Sequence, residues 1–258
     1  MKYLSAVSVL CLLIVPSVCV SQQISPNPNP SGNTIWVDNA GGFNNVAFYN
    51  YGVISVTSPG TLTNDRTLDN YGDLNNYGTL TNDGTLFNFG TFNNSGTFSG
   101  AGNFVGAFTD SGILAPGNSA GVLTFTGDLN KTGGSMEIEL GGLLDGGDNK
   151  ANTTFDWLDV SGDVSLAGTL SVSLLSDFTL SDRDNFNVIR VGGTLSGQFD
   201  GLGEGGLVGK YGELDLLITY GGGDGNDVVL YVNSIPEPGS AALLMILAGL
   251  GMTIRRRR

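Results

Sequence analysis

The sequence predicts an all-β protein built as a single-stranded β-solenoid. A large apolar residue recurs every six residues, at Leu62, Leu68, Leu74, Leu80, Leu86, Phe92, Phe98 and Phe104. Asn follows the first six of these by two positions, and Gly precedes most of them by two. Residues 61–78 and 79–96 are identical at twelve of eighteen positions, so three six-residue units form one eighteen-residue coil. Fixed short periods of this kind indicate stacked coils that share one core.

Side-chain alternation assigns a place to each residue of the repeat. In an extended segment, residues i and i+2 share a face, so each Leu points the same way as its Asn. We expect the Leu/Phe column to form the core and the Asn column to form an amide ladder near the corners. Asn and Gly tolerate the left-handed backbone that such corners are expected to need. A helix is a poor alternative, because Gly and Asn are frequent and a period of six keeps no helical face apolar.

The regular repeat is expected over residues 35–108. Eight residues instead of six separate Ile54 from Leu62, which indicates a small corner loop near Ser58-Pro59. With that allowance, an aromatic residue recurs at one corner, at Tyr51, Tyr71 and Phe89. This column is either an aromatic platform for sugar or a stack that shields the corner.

Residues 109–232 are expected to form a less regular β region that continues or caps the solenoid. Short alternating runs such as Met136 to Leu140 are separated by Gly/Asp turns and are typical of half-buried strands. A cap is expected because an open solenoid end is an aggregating edge.

Composition restricts the function. The chain has 258 residues, 41 glycines, 14% charged residues and a formal net charge of −13, so nucleic acid is not expected as a partner. There is no His, and the two cysteines, Cys11 and Cys19, lie in the N-terminal apolar run. Neither a Ser/His nor a Cys/His catalytic pair nor a His/Cys zinc site is available to the rest of the chain. We therefore expect no enzyme, although abundant Asp and Glu leave paired carboxylates for glycoside hydrolysis as an alternative.

One motif resembles a cation site. Residues 222–230 match the calcium-binding nonapeptide Gly-Gly-x-Gly-x-Asp-x-U-x, with Asp224, Asn226 and Asp227 as candidate ligands. Such sites are shared between stacked copies, and the sequence holds one copy, so a Gly-rich turn into a final strand is the other interpretation. A second acidic loop, residues 145–149, is interpreted as a solvated turn. No cofactor is expected apart from calcium at this motif, which would make the protein a Ca²⁺-dependent adhesin.

The N-terminus has the features of a secretory signal peptide over residues 1–21. Lys2 provides a positive charge, Leu4 to Val15 is apolar, and small residues follow. The apolar run is short for a membrane anchor, which needs about 20 residues. Residues 22–34 are expected to form a Pro/Asn linker.

A segment after the repeat resembles known bacterial surface proteins. Leu-Ala-Pro-Gly-Asn-Ser-Ala-Gly-x-Leu, residues 114–123, is similar to segments that end the repeat regions of autotransporter-type passenger domains. This resemblance implies a right-handed solenoid, as does the usual crossover rule. The strict six-residue unit favours a left-handed one. We expect the right-handed form.

In the C-terminal segment, residues 233–258, a Pro-Glu-Pro motif precedes an apolar stretch, residues 241–254, and a basic end. This order of features closely resembles the PEP-CTERM sorting signal of Gram-negative bacteria that make exopolysaccharide, in which the apolar stretch is a transmembrane helix. The sorting residues are Pro236, Glu237, Pro238, Arg255, Arg256, Arg257 and Arg258. The resemblance implies recognition by an exosortase and cleavage near the motif. A permanent tail anchor is the alternative with the same topology.

Together these features predict a secreted, non-catalytic structural or interaction protein of the cell surface, exopolysaccharide or biofilm matrix. It would reach the exterior through the inner membrane of a Gram-negative bacterium, and it would contact membrane only through its C-terminal segment before processing. Exosortase is the expected processing partner, and exopolysaccharide is the candidate ligand. The alternatives are a carbohydrate-active enzyme on a β-helix scaffold and a Ca²⁺-dependent adhesin.

Overall fold

A computed structural model describes residues 22–42 and 47–234, and it confirms the all-β fold of parallel stacked coils. The chain passes through three sheets in turn, called A, B and C here, and adds one strand to each sheet per coil.

Sheet A contains eight parallel strands. They are β1 (Gln22–Gln23), β3 (Ala40–Gly42), β6 (Thr61–Asn64), β9 (Thr79–Asn82), β12 (Thr97–Gly100), β15 (Ile113–Pro116), β18 (Ser135–Leu140) and β21 (Thr169–Leu174). Sheet C also contains eight parallel strands. They are β2 (Thr34–Val37), β5 (Val53–Val56), β8 (Asp73–Asn76), β11 (Thr91–Asn94), β14 (Phe108–Asp110), β17 (Leu129–Lys131), β20 (Val164–Leu166) and β23 (Leu195–Gly197).

Sheet B contains parallel strands followed by an antiparallel end. The parallel strands are β4 (Phe48–Asn50), β7 (Thr67–Asn70), β10 (Thr85–Asn88), β13 (Asn103–Val105), β16 (Val122–Thr126), β19 (Trp157–Val160) and β22 (Asn185–Val191). The antiparallel strands are β24 (Leu207–Tyr211), β25 (Leu214–Gly222) and β26 (Asp227–Ser234), of which β26 pairs with β22. A 3-10 helix, Lys150–Asn152, lies outside the sheets.

The strand register follows the eighteen-residue period. Leu68 pairs with Leu86, and Leu86 pairs with Phe104 on the next coil. All eight members of the predicted column have side chains buried to 5% exposure or less. The predicted core is therefore confirmed.

The region after residue 108 continues the solenoid and then caps it. Leu123 pairs with Leu158 in sheet B, because a long insertion, residues 141–156, leaves the coil between β18 and β19. One hydrophobic core extends from Ile24 to Val232. The antiparallel strands extend sheet B beyond β22 in the order β26, β25, β24, so the edge of β22 is occupied by β26 and cannot accept another strand.

The first described residues belong to the stack. Residues 22–34 were expected to form a linker, but Ile24 and Asn29 in this segment are buried. Asn29 occupies the ladder position below Asn50, and its Nδ2 lies 2.7 Å from the Asn50 Oδ1 that it donates to. This hydrogen bond joins the Pro/Asn segment to the first coil.

The corner glycines have a different role from the one that the repeat pattern predicted. Gly72, Gly78, Gly90 and Gly96 do not have positive φ angles. A Cβ atom added at any of them would instead overlap the carbonyl oxygen of the corner residue one coil below. The expectation of left-handed corners is therefore wrong for these positions. Glycine recurs there because neighbouring coils approach too closely for a side chain.

Asparagine forms the predicted ladders inside the corners. The Nδ2 atom of Asn50 donates to Asn70 Oδ1 at 2.7 Å, and Asn70 Nδ2 donates to Asn88 Oδ1 at 2.8 Å. The second Nδ2 hydrogen of Asn70 reaches the carbonyl oxygen of Thr91 at 2.9 Å. Equivalent contacts link Asn64 to Asn82 and Asn76 to Asn94. The Nδ2 atoms of these asparagines thus each find an acceptor on the next coil, as most buried polar groups do, whereas Asn76 Oδ1 is buried without a hydrogen-bond partner among the described residues.

The predicted targeting segments lie outside the described residues, except for residues 233 and 234, which end β26. The signal peptide covers residues 1–21, and the sorting motif and apolar stretch lie within residues 235–258. Within residues 22–42 and 47–234, there is no helix with the length and apolar character needed to cross a membrane.

Candidate functional site

The predicted calcium motif forms the turn of a β-hairpin. Gly222 ends β25 and pairs with Asp227, the first residue of β26. Asp224 lies in the exposed turn between them, whereas Asp227 is buried. The turn and the final strand agree with the second interpretation of the motif.

Asp227 and Asn226 connect this hairpin to the end of β22. Asp227 Oδ1 accepts from the Val191 backbone N–H at 2.9 Å, and Oδ2 accepts from Asn187 Nδ2 at 2.6 Å. Asn226 Nδ2 donates to the carbonyl oxygens of Val191 and Gly193. Both Asp227 oxygens thus already face hydrogen-bond donors, which a cation would have to displace.

Calcium at this motif stays a prediction. Across the described part of the chain, no three His, Cys, Asp or Glu side chains come together in a group that could hold a metal ion. A melting temperature measured with Ca²⁺ and with EDTA decides the matter, because bound calcium would stabilise the folded state. An unchanged melting temperature excludes the Ca²⁺-dependent adhesin.

The predicted aromatic column is present at the corner between sheets B and C. The rings of Tyr51 and Tyr71 stack at 5.1 Å with an angle of 10° between their planes, and Tyr71 and Phe89 stack at 5.0 Å and 18°. Face-to-face stacking covers the ring faces and leaves only the ring edges exposed to solvent. Sugar binding by aromatic rings needs open ring faces. The geometry favours a stack that shields the corner over a platform for sugar.

A polar groove of about 440 Å³ lies on the outer face of sheet A. Glu137 and Glu139 on β18 line it, and Ser171 and Ser173 stand beside them on β21 as their register partners. Pro116, the last residue of β15, and residues 117 and 119 of the loop after it line the groove from another side. The groove therefore brings two carboxylates and two hydroxyls together on one rigid surface.

A third carboxyl group, that of Asp156, is buried beside the groove. Its Oδ1 accepts from the Gly121 backbone N–H at 2.8 Å, and its Oδ2 accepts from the Glu139 N–H at 2.9 Å. Asp156 thereby joins the loop after β15 to β18. Burial raises the pKa of Asp156 to about 8; the two N–H donors oppose this shift, and the nearby Glu139 carboxylate adds to it.

We expect the free energy of unfolding to fall as the pH rises from about 4 to about 8. The folded-state pKa of about 8 exceeds the ordinary value of 3.8, so the stabilising effect of protonated Asp156 is complete below pH ~4 and is lost as pH approaches 8. The expected slope is about −1.4 kcal/mol per pH unit between about pH 5 and pH 8. Urea denaturation at several pH values measures it. Asp156→Asn should flatten the profile, whereas Asp224→Asn in the exposed turn should not; a flat wild-type profile would contradict the expectation.

Sequence reasoning missed this groove. The alternating run Met136 to Leu140 did predict a strand, and alternation places Glu137 and Glu139 on its outer face. The residues that pair with Glu137 and Glu139 in the sheet could not be predicted in the same way, because Glu137 pairs with a serine on the far side of the insertion. Asp156, at the end of that insertion, had no sequence signal.

Comparisons with known proteins show no family for this chain. Neither the protein-family models nor the curated proteins give a match. The residues and geometry of the chain itself therefore carry the proposal of its function.

Proposed function

We propose that this chain is a secreted, exosortase-sorted, non-catalytic protein of the cell surface or the exopolysaccharide or biofilm matrix. The observation that supports this most is the resemblance of residues 233–258 to a PEP-CTERM signal, in a chain whose preceding residues form a β-solenoid. Exopolysaccharide is the proposed ligand, and exosortase is the proposed processing partner.

The construction of the solenoid suits a structural role. Its core column is buried and its Asn side chains hydrogen-bond from one coil to the next, so contacts within the stack hold the repeat together without a ligand. The outward positions of β6 and β9 carry Thr, a small polar residue. With this arrangement the repeat mainly provides a rigid spacer.

Cell fractionation tests the proposed destination. The full chain is produced in a Gram-negative host with an exosortase and in a matched host without one. We expect the processed protein outside the cells or in the exopolysaccharide fraction only when exosortase is present. Glu237→Ala should cause retention of the unprocessed chain in the membrane fraction, while Glu213→Ala, at an exposed turn, should behave as wild type. Recovery of wild-type protein from the cytoplasm in both hosts would contradict the proposal.

The groove on sheet A supports a second candidate, a carbohydrate-active enzyme. Glycoside hydrolysis needs two carboxyl groups with different protonation states. Glu137 and Glu139 are accessible in the groove, and Asp156 beside them has a pKa of about 8. However, Asp156 is buried and both its oxygens accept backbone hydrogen bonds, so Glu137 and Glu139 would have to contact the substrate.

A product assay on a panel of polysaccharides separates the two candidates. The enzyme hypothesis requires release of reducing ends, with loss of activity in Glu137→Gln or Glu139→Gln and unchanged activity in Glu213→Gln. Binding of a polysaccharide without product formation supports the matrix protein. Absence of product on every member of the panel removes the enzyme hypothesis.

A further inference from the structure

A buried ion pair lies where the regular repeat passes into the longer coils. Asp110 on β14 and Lys131 on β17 are register partners, and Lys131 Nζ lies 2.6 Å from Asp110 Oδ2. Both side chains are 0% exposed. Removing two charges from water costs free energy that a single contact repays only with excellent geometry, so the pair needs a specific explanation.

The surroundings of the pair are organised around the Asp110 carboxyl group. Asp110 takes the place of the next Asn in the sheet C ladder, and its Oδ1 accepts from Asn94 Nδ2 at 2.6 Å. The same oxygen accepts from the Gly112 backbone N–H at 2.9 Å, while Lys131 Nζ also donates to the Gly112 carbonyl oxygen at 3.0 Å. Two N–H donors therefore face one carboxyl oxygen, and an amine lies against the other.

We propose that Asp110 and Lys131 condense to form an intramolecular isopeptide bond. The amine nitrogen of Lys131 forms the new bond to Cγ of Asp110, and the bond from Cγ to Oδ2 breaks. The product is a secondary amide, and Oδ2 leaves as water. No oxidant, reductant or co-reactant is needed.

Each part of this step has a group in place. One proton passes from the ammonium to Oδ2, so the nitrogen gains the lone pair with which it attacks Cγ. With Nζ at hydrogen-bond distance from Oδ2, its separation from Cγ approaches the roughly 3–3.5 Å of a near-attack geometry. As nitrogen attacks, negative charge develops on Oδ1, where Asn94 and Gly112 donate hydrogen bonds. A second proton from the nitrogen then leaves with Oδ2 as water.

The other ion pairs among the described residues lack this environment. Lys210 and Asp215 lie 2.8 Å apart, with side chains 58% and 26% exposed. Lys150 and Asp159 are also paired, and both side chains are more than a third exposed. Water solvates these charges and opposes their neutralisation, so they provide internal controls.

The bond would act as a covalent clamp between adjacent coils. Residues 20–258 contain no cysteine, so a disulfide cannot provide such a clamp there. The clamp would also lie where the coil spacing changes, because Asp110 pairs with Asn94 sixteen residues before it, whereas Lys131 pairs with Asp110 across twenty-one residues.

Tryptic digestion of the denatured full chain tests the proposal. Trypsin cannot cleave after an amide-linked lysine, and Asp110 and Lys131 lie in the same fragment, residues 67–131. We expect one fragment of residues 67–150, lighter than its sequence mass by one water molecule, with normal cleavage after Lys150. Fragments 67–131 and 132–150 at their full sequence masses, without the linked fragment, would overturn the proposal.

Two variants separate a chemical role from a structural one. Lys131→Arg keeps the positive charge and the hydrogen bonds but removes the primary amine, so it should restore cleavage after residue 131 and the full mass. Asn94→Ala removes one donor to Oδ1 and should slow the appearance of the linked fragment after refolding by roughly 100-fold or more. Linkage in Asn94→Ala at the wild-type rate would refute the assigned role of Asn94.

Discussion

A Gly96→Ala variant is expected to lose about 3 kcal/mol or more of unfolding free energy. Its added Cβ would overlap the carbonyl oxygen of Gly78 on the coil below and lie 2.8 Å from two further backbone atoms of residues 77 and 78. Thr97 donates its N–H to that same Gly78 oxygen at 2.8 Å. The coils can accommodate the methyl group only by separating, which lengthens this hydrogen bond and loosens the packed column between the coils.

Gly133→Ala is the matched control, since Gly133 lies at the same corner of a later coil. A Cβ added there meets no atom within 4 Å, and its φ angle is not positive. We expect this substitution to change stability by less than about 0.5 kcal/mol. Urea denaturation of both variants gives the difference. Equal stability of Gly96→Ala and Gly133→Ala would show that close approach between coils does not explain the repeated glycine.

The glycine column shows how far sequence reasoning extends in this chain. The six-residue period predicted both the corners and the eighteen-residue coil, because repeating side chains report directly on a stacked core. It did not distinguish two reasons for glycine, a left-handed backbone and a close contact between coils. That distinction depends on the distance between coils, and at Gly72 and Gly96 the contact is the reason.

For the region after residue 108, the sequence predicted where strands occur but not which strands pair with each other. Local alternation identified runs such as Met136 to Leu140 as strands. Register depends on which strand follows in the same sheet, and the insertion at residues 141–156 changes the spacing without a periodic signal. The groove lined by Glu137 and Glu139 is formed by that register, so it could not be derived from the sequence.

The buried pair of Asp110 and Lys131 could not be predicted from the sequence, for a related reason. No motif surrounds Lys131 in the sequence, and Asp110 lies sixteen residues after Asn94 instead of eighteen. Only the stacked structure shows that Asp110 extends the Asn ladder and that Lys131 lies directly above it. An acidic residue at a ladder position is a signal that could have indicated a buried basic partner.

Asn70→Ala is expected to destabilise the protein by about 3 kcal/mol or more, although it replaces a polar residue by an apolar one. Asn70 is 0% exposed and lies in the middle of its ladder. Its removal takes the acceptor from Asn50 Nδ2 and the donor from Asn88 Oδ1 and from the Thr91 carbonyl oxygen. Buried groups that lose their partners cost more than the net value of the bonds, because neither water nor another side chain replaces them.

Asn75→Ala tests whether the loss of stability expected for Asn70→Ala arises from the burial of the asparagine and not from the loss of any asparagine. Asn75 lies in the neighbouring strand β8 and also pairs with an amide one coil above, since its Oδ1 accepts from Asn93 Nδ2 at 2.8 Å. That contact faces solvent, where water replaces the lost partner. We expect Asn75→Ala to cost less than about 1 kcal/mol in the same denaturation experiment. Comparable losses in the two variants would contradict burial of the ladder as the cause of the loss in Asn70→Ala.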